Sequence, residues 1–104
     1  EFIYSEDVAK LTEWALDEYD EKEPIILSTS EEISIRDVVD LIVTAMNFNG
    51  DVIWEEDKPD GQYQKPSDTT KLKNYLPDFK FTPIDVGIKK SVKWFIENYE
   101  KARK

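Results

Sequence analysis

The chain has 104 residues, with 23 acidic against 14 basic side chains, a formal charge of −9, and neither cysteine nor histidine. That balance repels nucleic-acid backbones and anionic membranes, so any bound phosphate must be held by a few locally placed cations. Disulfides, thiolate chemistry and a histidine acid–base are excluded, and the length allows one domain that buries about two-thirds of its unfolded surface.

No apolar run approaches the roughly 18 residues of a membrane span, which makes a cytoplasmic setting the default expectation. The chain opens without Met, directly in "EFIY", as a segment cut from a longer protein would. Phe2–Tyr4 reads as a short strand. Ser5, followed by Glu6 and Asp7, starts a helix, because a hydroxyl cap and first-turn acids satisfy its free amides. Val8, Leu11, Ala15 and Tyr19, flanked by Trp14, then recur at helical spacing until "DEKEP". Pro24 opens "PIILSTS", whose unbroken apolar run at Ile25–Leu27 predicts a buried strand.

Ser34 and Asp37 form a capping pair ahead of Ile35, Val38, Val39, Ile42 and Met46, a second amphipathic helix that stops at "NFNG". "DVIWEE" predicts a third strand. A long polar loop, "WEEDKPDGQYQKPSDTTK", follows, and Asp68 is expected to cap a short helix carrying Leu72 and Tyr75 up to Pro77. Thr82 as cap, Pro83 at the first helical position and Asp85 three residues after the cap predict a last helix with Ile84, Ile88, Val92, Phe95 and Tyr99 on one face. No internal repeat or low-complexity tract is present. The order of elements predicts an α/β class: a small sheet of about three strands with packed helices, over a single domain spanning 1–104.

Few chemistries fit these residues. A dinucleotide site needs clustered glycines after a strand, whereas Gly50, Gly61 and Gly87 are far apart. A tyrosine made acidic by a lysine one turn later is also missing: the residues four after each Tyr are Val8, Glu23, Ser67, Phe79 and Arg103. The acids Glu55, Glu56 and Asp57 read as a solvated run, and Lys58 and Pro59 break any calcium-loop pattern. Hence no catalytic, cofactor-binding or metal residue is assigned. "KPDG" has a plain reading as a turn, with Pro fixing φ and Gly supplying a positive φ.

Taken together, "EFIYSEDVA", "KPDG" with Lys65 four residues after Gly61, "DTTKL", "LPDFKFTP" and "WFIENYEKARK" resemble the carboxyl-terminal part of the extended short-chain dehydrogenase/reductases that act on nucleotide sugars. The match is closest to the GDP-L-fucose synthase family and covers nearly the whole chain. The resemblance implies the substrate-binding domain of an NADP-dependent homodimer that epimerises and reduces GDP-4-keto-6-deoxy-D-mannose. It implies further that the Rossmann domain, with its cofactor loop, its Ser-Tyr-Lys set and its Cys and His, lies outside this chain, so the fragment binds no cofactor and has no activity alone. It assigns Asp60 to the nucleotide and Lys65 to the diphosphate of the GDP-sugar, with Lys58 a lesser candidate. A carboxylate suits a ribose diol, and an acidic protein needs a placed ammonium to hold a diphosphate. Two alternatives fit the same residues: the equivalent lobe of another nucleotide-sugar epimerase or dehydratase, and a non-catalytic acidic interaction module.

Overall fold

The computed structural model describes residues 1–103. It contains four helices: α1 (Ser5–Glu18), α2 (Ile35–Met46), α3 (Thr70–Tyr75) and α4 (Ile84–Glu97). Tyr4, extended at φ −70° and ψ 136°, is the residue that caps α1, and its carbonyl accepts from the Asp7 and Val8 amides. Ser5 is therefore already helical. At the other end Tyr19 leaves the helix in an extended conformation, which frees its ring for contacts outside α1.

The start of α2 forms as its sequence dictates, with Ser34 Oγ accepting from the Asp37 amide at 3.0 Å. Asn47 closes the same helix in the left-handed conformation at φ 50°, and the Phe48 amide returns to the Val43 carbonyl at 3.0 Å. Asp68 Oδ1 accepts from the Thr70 amide at 2.9 Å and from its hydroxyl at 2.6 Å, organising the start of α3 although Thr69 is the capping residue.

α4 departs from expectation at its first turn. Pro83, not Thr82, precedes the helix in the cap position, and no side chain caps it. Thr82 is engaged elsewhere: its amide and hydroxyl donate to the two carboxylate oxygens of Asp7 at 2.7 and 3.0 Å. Asp7 is buried, so this pair fixes the first turn of α1 to the entry of α4 with a charged acceptor. Gly87 lets α4 pass close over the amino-terminal segment, since a Cβ there would lie 3.3 Å from the Tyr4 Cβ.

The expected α/β architecture is not adopted. No strand forms among the described residues, and the three runs read as strands, at 2–4, 25–27 and 52–54, lie outside any regular element. Those runs exchange no backbone hydrogen bonds with one another. Apolar, β-branched composition reports fitness for a half-buried pleated surface, and a ladder needs a neighbouring backbone to supply its partners. Here the fold class is α.

Helices α2 and α4 pack together, and among the described residues full burial of apolar side chains is confined to Leu11, Val38 and Leu72. The accessible surface is 8858 Å², against about 6,100 Å² for a compact monomer of this mass. The radius of gyration, 16.6 Å, likewise exceeds the roughly 13 Å of a compact chain of this length. Leu16 and Ile53 are each 83% exposed, and Ile35, Trp94 and Ile96 are exposed as well. The chain by itself thus leaves several large apolar side chains uncovered. No helix among the described residues is long and apolar enough to cross a membrane.

Candidate functional site

The polar loop between Trp54 and α3 carries all three residues singled out for binding. It turns three residues earlier than the sequence suggests, with the Lys58 amide reaching the Glu55 carbonyl at 3.4 Å. No glycine among the described residues has a positive φ, so Gly61 does not make the Pro-Asp-Gly turn that "KPDG" implies. Lys58, Asp60 and Lys65 are exposed, and their side chains have no hydrogen-bond or ion-pair partner among the described residues. Their charges are free for a ligand. No contact brings the three together, and the hollow of about 260 Å³ beside the loop is lined by Glu32, Ile33, Ser34, Tyr63 and Gln64 instead.

Two contacts fix the second half of this loop. Gln64 Nε2 donates to Glu32 Oε2 at 2.7 Å, at the approach to α2. Three residues later Ser67 donates both its amide, at 2.8 Å, and its hydroxyl to the Glu1 carboxylate. Ser28 Oγ donates to the same carboxylate at 2.6 Å, so Glu1 joins three distant stretches of chain. Those donors, the Ser28 hydroxyl first and Ser67 next, lower the Glu1 carboxyl from 4.5 to about 2. A depressed carboxyl stabilises the fold fully above its unfolded value of 4.5 and loses that contribution as pH falls through about 2. In an NMR titration the Ser67 amide resonance is therefore expected to stay constant from neutrality to about pH 4 and to move only on further acidification. A midpoint at the ordinary carboxyl value of 4.5 would show that the clamp is absent.

A second polar cluster lies under the base of α3. Lys71 Nζ sits 3.6 Å from Glu21 Oε1, 3.2 Å from the Tyr19 hydroxyl and 5.7 Å from the centre of the Tyr19 ring. Tyr75 donates to Glu21, and the Trp14, Tyr19 and Tyr75 rings meet with centroids 5.5–6.2 Å apart. The Tyr75 hydroxyl and then Lys71 hold the Glu21 carboxyl below its ordinary value, and the Tyr19 hydroxyl, with Glu21, raises Lys71. This cluster borders a groove of about 590 Å³, larger than the hollow beside the loop. Its charges already satisfy one another, so it works as a weld between the α1 exit and α3. The unpaired charges of the loop are the better candidates for binding, even though the hollow beside it is smaller.

Sequence reasoning missed Glu1, Glu21 and Lys71. Glu21 falls in "YDEKE", which reads as a solvated charge run, and no local spacing connects Glu1 to Ser28 or Ser67. Among the described residues no group of three His, Cys, Asp or Glu side chains converges as a metal site.

No family model matches the chain. Over its whole length it is 53% identical to a GDP-L-fucose synthase of Dictyostelium discoideum and 46% identical to a probable GDP-L-fucose synthase of Drosophila melanogaster, covering 33% of each. A crystal structure of a GDP-L-fucose synthetase from Naegleria fowleri bound to NADP superposes with a TM-score of 0.93 at 43% identity, over 99% of this chain and 33% of that one. The chain spans about a third of the length of the curated relatives it matches. Lys104, the last residue of the carboxyl-terminal motif, lies outside the described residues.

Proposed function

We infer that this chain is the carboxyl-terminal, substrate-binding domain of an NADP-dependent enzyme of the GDP-L-fucose synthase family. The intact enzyme epimerises and reduces GDP-4-keto-6-deoxy-D-mannose to GDP-L-fucose, as a cytoplasmic homodimer. The observation that carries this reading is identity of about half over the full chain with enzymes of that name.

Within this segment Asp60 accepts hydrogen bonds from the nucleotide, Lys65 meets the diphosphate, and Lys58 adds positive charge beside the turn. Their lack of intramolecular partners supports these roles, because an ammonium already held by a carboxylate has less to offer a phosphate. NADP does not fit the residues present. Gly50 follows α2, Gly61 lies in an open loop and Gly87 sits inside α4, so none of them opens a helix against a pyrophosphate. The cofactor site and the acid–base groups belong to the remainder of the enzyme, and no catalytic step is assigned to this segment.

The isolated segment is accordingly expected to give no NADPH-dependent turnover of the keto-sugar and no NADP heat in calorimetry. Binding of NADP at about micromolar affinity by the segment alone would overturn this division of labour.

A further inference from the structure

Lys65 and Pro66 lie between the two fixed points of the loop, Gln64 held by Glu32 and Ser67 held by Glu1. Pro66 has a restricted φ, and a residue that precedes proline is confined to extended conformations, so the intervening backbone has little freedom left. On the far side of Ser67, Asp68 is committed to the first turn of α3 through Thr70. The stretch from 64 to 70 is therefore held at its start, middle and end, while the Lys65 side chain itself remains exposed and unpartnered. Residues 58–62 of the same loop have no such side-chain anchors. That asymmetry has a use, because a charged group binds a ligand more tightly when its backbone needs no ordering at the moment of binding.

The geometry points to Glu1 as a positioning residue that fixes the backbone beneath Lys65, with Glu32 as its weaker partner on the other side, so that the Lys65 ammonium is presented to the diphosphate of the substrate. This rests on the reading of Lys65 given above. Glu1 itself touches no substrate. Its carboxylate is occupied by the Ser28 hydroxyl and by the amide and hydroxyl of Ser67, and its effect passes through the backbone to a residue two positions away. Glu32 acts through a single flexible amide side chain and contributes less.

The test uses the full-length enzyme and follows KM for the GDP-sugar as a function of salt in Glu1→Gln, Ser67→Ala, Lys65→Ala and the Glu1→Gln/Lys65→Ala double variant. Ser67→Ala removes one donor only and serves if Glu1→Gln folds poorly. Glu1→Gln is expected to raise KM by about tenfold, the worth of roughly one hydrogen bond to a charged group, with kcat and KM for NADP unchanged. It should also flatten the rise of KM with salt, since a displaced ammonium no longer contributes a screened contact. The double variant should match Lys65→Ala alone, because Glu1 has nothing further to position once the ammonium is gone. If Lys65→Ala leaves KM unchanged, the diphosphate reading fails and the inference falls with it. If Lys65→Ala raises KM while Glu1→Gln and Ser67→Ala do not, the diphosphate reading stands and the positioning role is overturned. Additive effects with the salt slope intact would make Glu1 a fold-stabilising residue and overturn the inference as well.

Discussion

In the intact enzyme Asp60→Asn is expected to raise KM for the GDP-sugar by about ten- to a hundredfold, leaving KM for NADP nearly unchanged. A carboxylate that accepts hydrogen bonds from a sugar diol contributes on the order of 1.5–3 kcal/mol, the usual worth of a bond to a charged group. Asp60 is free to do so, because no side chain of its own chain competes for its oxygens among the described residues. The nucleotide lies far from the reacting carbons, so the loss falls on uniform binding and appears in KM more than in kcat. Asn is the informative replacement: it keeps the size and polarity of the side chain while deleting the charge. Gly61 has no positive φ, so a tight Pro-Asp-Gly turn does not account for Asp60 at this position. A normal KM in Asp60→Asn would remove Asp60 from the binding site.

The helices were legible in the sequence because their signals are local. Ser34 with Asp37 and Asn47 after Met46 each act within one turn and form where the residue pattern places them, while Asp68 bonds the Thr70 amide from one residue outside the cap, which is Thr69. Thr82 shows where local reasoning ends. Its hydroxyl had two possible uses, a cap on α4 or a partner for a carboxylate 75 residues away, and the buried Asp7 took it. A buried carboxylate without donors is far more costly than an uncapped helix end, which decides the competition. The strands failed for a related reason. "FIY", "IIL" and "VIW" have the composition of strands, but a strand exists only with a second backbone beside it, and composition cannot supply one. Within the candidate site, Asp60, Lys65 and Lys58 came from a family resemblance, since nothing about a solvated "KPDG" loop distinguishes it physically from an ordinary turn. Glu1 was invisible for the opposite reason: its role depends entirely on Ser28 and Ser67, brought to it by the fold.

The isolated segment is expected to self-associate and to bind a hydrophobic dye, and the intact enzyme to bind much less dye. Its accessible surface exceeds that of a compact monomer of equal mass by about 2,800 Å², whereas a standard interface removes about 800 Å² from each partner. Large apolar side chains contribute to it, with Leu16, Ile53, Trp94 and Ile96 all more than half exposed. Surface of that kind on a small domain is covered in the folded protein to which it belongs, or it associates. A segment completed by the rest of its enzyme leaves its apolar faces uncovered when isolated, and sedimentation velocity of that segment over a wide concentration range, run alongside dye fluorescence, measures the consequence. The expected result is concentration-dependent dimers or larger species together with strong dye binding. A strictly monomeric profile at high concentration with no dye binding would contradict it.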